Sequence, residues 1–310
     1  VIRLSQNNAV YGGQAVIEGV MFAGQKVNVT AVRAKDGSIQ YLEVPKKEIQ
    51  WVNTLKKIPF LRGIVAIVES SAKGATHMNF AMESFADEEP KDEKEEKKGI
   101  MSSLSMILGV AVVGVLSFLF GKFVMTLVPA AIEGFIFGKM FENQIGHNLI
   151  EGVIKIALLI GYIYAISLTP MVKRLFQYHG AEHKVISAYE AGLELTVQNV
   201  QKFSTLHYRC GSSFIVFTVI IGVIIYSFFS YDGLVERLIQ RIVLIPVVLG
   251  VSYEVLRVTN SMREIPVLRL LGYPGLWMQK LTTKEPTDDQ VEVSIASFNR
   301  MREIDKQTVL

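Results

Sequence analysis

The sequence predicts a membrane α-helical protein: a four-helix transmembrane bundle, with a small α+β cytoplasmic domain before it and a helical tail after it. Three observations carry that prediction. Half of the 310 residues are hydrophobic, and a mean hydropathy of +0.33 is too apolar for an ordinary soluble domain of this size. Four apolar runs between residues 104 and 256 approach or reach the roughly 20 residues that a bilayer crossing needs. Near the start, Asp36-Gly37 stands between two alternating stretches, the strongest short-range signal for a β-hairpin.

Residues 1–85 read as the α+β domain. Val27, Val29 and Ala31 alternate with polar neighbours before the Asp36-Gly37 turn, and Ile39, Tyr41 and Glu43 follow it. Gly12 to Met21 can add a further strand, in which Glu18 is expected as an edge charge facing water. Over residues 48–85, Trp51, Leu55 and Ile58 share a helix face, and Pro59 can open a second helix. That second helix is apolar but short, and is expected on the sheet or at the membrane surface. Residues 86–100 read as a solvated linker or exposed helix, since Asp87 to Lys98 are almost all Asp, Glu and Lys.

The transmembrane domain is expected over residues 101–258, with spans at about 104–128, 150–168, 214–229 and 242–256. Lys173, Arg174, Lys184, Lys202 and Arg209 lie in the segment 171–211 between the second and third spans, and the other two connections hold few basic residues. By the positive-inside rule this segment, the linker and both termini face the cytoplasm of a multi-pass plasma-membrane protein. Residues 259–310 form the tail. In 264–281, Trp277 and Tyr273 among basic residues fit a membrane interface, with Pro274-Gly275 expected as a break. Thr287-Asp288-Asp289-Gln290 then has the form of a capping box, ahead of Val291, Ile295, Phe298 and Arg302 on one helix face. The opening Val1-Ile2-Arg3-Leu4 has no long apolar region and does not read as a signal peptide. A net charge of +3 does not suggest nucleic acid as a partner, and the single Cys excludes an intrachain disulfide and fits a reduced compartment.

The segment that carries chemistry is His179-Gly180-Ala181-Glu182-His183. Histidines four apart share a helix face, where neutral imidazoles can hold a divalent metal, and Glu182 between them can act as a catalytic base. His207 and Cys210, just ahead of the third span, are spaced to add two ligands. A closed His/His/His/Cys set suits a structural zinc; three ligands with an open position suit a catalytic one. Glu254 in the fourth span reads either as a further ligand or as half of an ion pair with Arg257, and the ion pair is favoured. The opposing reading is that these residues only decorate a membrane surface, where His and Tyr are common. His77 and His147 stand apart and are expected on the surface.

Four segments together resemble the YqhQ family of bacterial multi-pass membrane proteins, which is domain-of-unknown-function family 1385. They are Tyr11 to Met21, Phe176 to Lys184, His207 to Phe214 and Leu271 to Trp277. The resemblance covers nearly the whole chain. It implies a membrane protein, described for that family as a predicted metal-dependent enzyme on the strength of the same His-rich motif.

Three functions compete. One is a membrane metal-dependent hydrolase, with His179, His183 and His207 as zinc ligands, Cys210 or Glu254 completing the set, and Glu182 as base. The second is a non-enzymatic adaptor in the bilayer, bound to another integral membrane complex such as a translocation or quality-control assembly, with any metal purely structural. A transporter fits least, because the spans offer few ionisable residues and no broken helix pair in corresponding halves.

Overall fold

The computed structural model describes residues 11–46, 49–85, 100–140, 143–208, 210–261, 270 and 272–307. The linker expected at 86–100 lies outside them except for Ile100, as do Val1–Leu4, Arg209, Arg269 and Leu271.

Strands β1 (Gly12–Val16), β2 (Gly19–Ala23), β3 (Val27–Arg33) and β4 (Ile39–Pro45) form an antiparallel meander in that order. The β3–β4 turn is the expected one: Gly37 takes a φ of 85°, and the Ser38 amide donates to the Asp36 carboxylate at 2.9 Å. The strand expected over Gly12–Met21 is instead two strands, folded at Ile17-Glu18. That turn has no Gly or Asn, and Glu18 itself takes a φ of 52°. Tertiary contacts hold it there. The Arg174 guanidinium donates twice to the Glu18 carboxylate at 2.5 Å, and the Arg33 amide donates to the Glu18 carbonyl at 2.8 Å. Glu18 is therefore a buried, ion-paired turn residue, not an edge charge facing water.

One face of the sheet, with Val20, Phe22, Val29 and Ala31, packs on two helices from distant parts of the chain. Helix α5 (Pro170–Glu190) contributes Tyr178, Ala181 and Val185, and α11 (Asp288–Gln307) contributes Val291, Phe298 and Met301. The Thr287 amide donates to Gln290 at 3.0 Å, one half of the capping box that the sequence indicates, and Arg302 stacks on Tyr189. The opposite face, with Val16, Thr30 and Val32, meets α2 (Leu61–Phe85) through Ala81 and His77; α1 (Gln50–Leu55) precedes it. His77 is thus in the core rather than on the surface, its Nδ1 bonded to the Thr30 hydroxyl at 2.6 Å.

The apolar helices differ from four equal spans. Within α3 (Ile100–Ile136), which runs unbroken through Pro129, the stretch Leu119–Ile136 is long and apolar enough to cross a membrane, and so is α4 (Gln144–Ser167). The third apolar helix, α7 (Ser213–Tyr226), has 14 residues, a length of about 21 Å against a hydrocarbon core of about 30 Å. In place of a loop at 230–241 the chain forms α8 (Leu234–Val243), bent by 50° from α9 (Ile245–Ser261); the two together make a third candidate crossing or a re-entrant pair. Its charged residues hid this helix from a hydropathy reading. Arg237 and Arg241, four residues apart, are buried and paired with Glu133 of α3 and Glu151 of α4; Arg241 also lies over the Tyr226 ring at 4.0 Å. His147, expected at the surface, is buried in the same network and bonded to Glu133 at 2.5 Å. Finally, Pro274 opens α10 (Tyr273–Thr282) instead of breaking it, since a proline at a helix start leaves no hydrogen bond unmade.

His77 makes the fold acid-sensitive. Burial, with Lys73 nearby, lowers its pKa from 6.5 to about 4. A depressed folded-state value stabilises above pH 6.5 and is lost as pH falls towards 4, an effect of about 3 kcal/mol. His77→Leu is expected to remove about that much of the stability lost between pH 6.5 and 4, read from unfolding midpoints in detergent. An unchanged pH profile would place the acid sensitivity elsewhere.

Candidate metal centre

Helix α5 starts where α4 ends. Leu168 and Thr169 separate them, and Pro170 occupies the first turn of α5. The motif of α5 therefore lies just outside an apolar helix, with one face already committed to the core. Tyr178, Ala181 and Val185 point into that core, while His179, Glu182 and His183 line a cavity of about 370 Å³. Gly180 is required by the packing. A Cβ there would lie 2.1 Å from the Lys284 carbonyl, in the segment after α10 whose Lys284 amide donates to the Phe176 carbonyl.

That close segment anchors the first histidine: His179 Nδ1 lies 2.8 Å from the Thr282 carbonyl. His183 Nδ1 lies 2.6 Å from the Thr205 carbonyl. A carbonyl accepts only, so each Nδ1 carries the proton and each Nε2 presents a lone pair. His179 Nε2 is 3.3 Å from the Cys210 sulfur. His183 Nε2 is buried without a hydrogen bond, and its polar neighbours are the same sulfur and His179. One donor atom from each of His179, His183 and Cys210 lies within 4.8 Å of the others. Donors on a tetrahedral zinc stand about 3.3–3.6 Å apart, so the three fit one ion with small rotations. Burial also holds the His183 imidazole below its ordinary pKa, against the pull of Cys210, which keeps it in the neutral form that a metal requires.

Cys210 reaches the cluster on the loop between α6 (Val197–Gln201) and α7. The Gln279 side chain clamps that loop, accepting from the His207 amide and donating to its carbonyl, both at 2.8 Å. The Ser212 amide donates to the Cys210 sulfur at 3.4 Å. Sequence reasoning passed over Gln279, which no motif marks.

Glu182 lines the same cavity and is not one of the three clustered donors. Its carboxylate accepts from the Gly13 amide of β1, whose missing side chain makes room for it: a Cβ on Gly13 would lie 3.0 Å from the Glu182 carboxyl carbon. Burial raises the Glu182 pKa, with His179, His207 and the Gly13 amide opposing. The two further candidates are placed differently. His207 lines the cavity, its ring centroid 5.7 Å from that of His183, but its Nε2 faces Glu190 at 3.7 Å. Glu254 does not line the cavity. It forms an ion pair with Arg62, not with its helix neighbour Arg257, and accepts from Arg62 Nε at 2.6 Å.

A family model described as "Protein of unknown function (DUF1385)" matches residues 58–304. The uncharacterized protein YqhQ of Bacillus subtilis (strain 168) is 56% identical over 294 residues, covering 94% of this chain and 92% of that protein. No solved structure matches the chain.

The donor geometry predicts that chelator-stripped protein takes up about one zinc per chain. His183→Ala and Cys210→Ser should each weaken uptake by about tenfold or more, while Glu254→Gln leaves it unchanged, as read by competition with a chromophoric chelator. Equal uptake by all four proteins would dissolve the cluster as a metal site.

Proposed function

We propose that this chain, which belongs to the DUF1385 family, is a multi-pass membrane protein that holds a divalent metal on His179, His183 and Cys210 and acts as a metal-dependent hydrolase. The observation that carries the reading is the unpartnered, buried Nε2 of His183, set beside His179 and Cys210 at the wall of a cavity that also contains Glu182. Two nitrogens and one thiolate favour zinc among biological divalent ions, and three donors with an open side are the catalytic rather than the closed structural pattern. A bound zinc would supply Lewis acidity, polarising the carbonyl or phosphoryl group of a substrate.

The chain's own residues do the rest. The Thr282 and Thr205 carbonyls fix the tautomer and ring orientation of the two histidines, and such outer partners sharpen metal affinity. Glu182, at the wall of the same cavity and oriented by a backbone amide, is placed to take a proton from an attacking nucleophile and return it to a leaving group. The Gly13 amide orients the carboxylate for that task. The cavity wall made by Gly12, Gly13 and Gln14 gives a substrate its seat.

The membrane side follows from charge. Arg237 and Arg241 are neutralised by Glu133 and Glu151. Lys173 and Lys202 belong to the same segment 171–211 as the clustered donors, and the positive-inside rule supports a cytoplasmic cluster in a plasma-membrane protein. One observation favours the adaptor reading instead: the cluster joins α5 to the Cys210 loop and would staple them as a purely structural zinc, leaving the apolar helices to bind an integral membrane partner.

Glu182→Gln separates the two. With p-nitrophenyl acetate and p-nitrophenyl phosphate as probes, the zinc-loaded variant should bind metal like the parent and lose about 100-fold or more in turnover. Parent-like turnover in the variant, or no zinc-dependent turnover in the parent, would count against the hydrolase.

A further inference from the structure

A second cavity, of about 700 Å³, shares Gly12, Gly13 and Gln14 with the first and extends between β1, α2 and α9. Lys46, Lys56, Arg62, Lys73 and Arg257 line it, with Glu69 as the one carboxylate among them. Lys56 and Lys73 share Glu69 at 2.5 and 2.6 Å, and Arg62 is held by Glu254. Even with Glu254 and Asp305, which faces Lys46, counted, the cations around this cavity outnumber the carboxylates five to three among the described residues. Like charges gathered around a concave, partly buried space raise the local potential and attract an anion. Asn28 on the same lining is 1% exposed, and its side-chain oxygen has no hydrogen-bond partner. It calls for a donor that the fold does not provide.

The surroundings say where the anion comes from. Trp51 is 67% exposed, and Phe60, Leu61 and Val258, neighbours in sequence of Arg62 and Arg257, are exposed as well. Tryptophan and apolar side chains beside lysine and arginine are the pattern of a membrane–water interface, where the cations meet lipid phosphates. The corner is held rigidly against α9: the Phe60 amide donates to Glu254, and a Cβ on Gly63 would lie 2.6 Å from the Tyr253 Cβ.

We propose that this cavity binds the phosphate-bearing headgroup of an amphiphile, with Lys46, Lys73 and Arg257 on the phosphate and Asn28 accepting from a headgroup donor. The binding stands on the charges of the cavity and needs no metal. The two cavities share Gly12, Gly13 and Gln14, and Gly13 also bonds Glu182; if the proposed function holds, such an amphiphile is the substrate class of the neighbouring site.

The test uses the full chain, stripped of metal, in a non-ionic detergent. The probes are dioctanoyl phosphatidic acid, dioctanoyl phosphatidylcholine and glycerol 3-phosphate. Phosphatidic acid should bind about tenfold or more tightly than phosphatidylcholine, and Arg257→Glu should weaken it by about tenfold. Lys306→Gln, a cation exposed on α11, should bind as the parent does. Lys73→Gln is a second variant, but Arg257 is exposed and its reversal decides the matter even if Lys73→Gln does not fold. Binding of glycerol 3-phosphate as tight as that of phosphatidic acid would assign the phosphate to a soluble ester, and weaker binding to a lipid. Equal binding of the two lipids, or no effect of Arg257→Glu, overturns the proposal. Because no metal is present, neither result bears on zinc or on Glu182.

Discussion

The Thr205 and Thr282 carbonyls each accept a hydrogen bond from Nδ1 of a histidine on α5, and much of the structure serves to put them there. The pair turns both Nε2 lone pairs towards one sulfur. Without those carbonyls the rings could rotate or exchange tautomers, and two histidines at helix spacing would be only surface imidazoles. The Thr282 carbonyl ends α10, and the chain after it can approach α5 only because residue 180 has no side chain. The Thr205 carbonyl belongs to a loop that Gln279 pins from α10. Beneath the motif, Tyr178, Ala181 and Val185 lock α5 onto the sheet and α11. Three stretches far apart in sequence thus converge on one helix.

Local chemistry made part of this legible. Asp36-Gly37 announced its turn, Thr287 to Gln290 announced the start of α11, and His179-x-x-Glu182-His183 with Cys210 announced the donors. What stayed hidden depends on distant partners. Nothing near Glu18 says that it turns the chain with a positive φ, because the reason is Arg174, 156 residues away. Helix α8 looked like a polar loop, since the carboxylates that neutralise Arg237 and Arg241 sit on α3 and α4. Glu254 was paired with Arg257 on helix spacing, whereas its partner is Arg62, whose approach depends on the Phe60 corner. Ligand types could be read from sequence; the subset whose donor atoms meet could not, and His207 turned towards Glu190 is the clearest case.

Charge is handled oppositely in two places. Around Glu133 and Glu151 every arginine has a carboxylate, and an asparagine and two tyrosines add polar or cation–π contacts. Such closure is what allows charged residues to lie among apolar helices, where an unpaired charge would cost several kcal/mol. Between α2 and α9 the balance is left positive and open. The first arrangement has the character of structure and the second that of recognition, and the cluster on α5 shares a wall with the second.

The central claim is that two imidazoles and one thiolate converge on a single ion. X-ray absorption at the zinc K-edge of the reconstituted full chain tests it directly. The account predicts imidazole nitrogen at about 2.0 Å together with one sulfur at about 2.3 Å, the sulfur vanishing in Cys210→Ser. A first shell without sulfur in the parent protein, or one unchanged by that substitution, would contradict it.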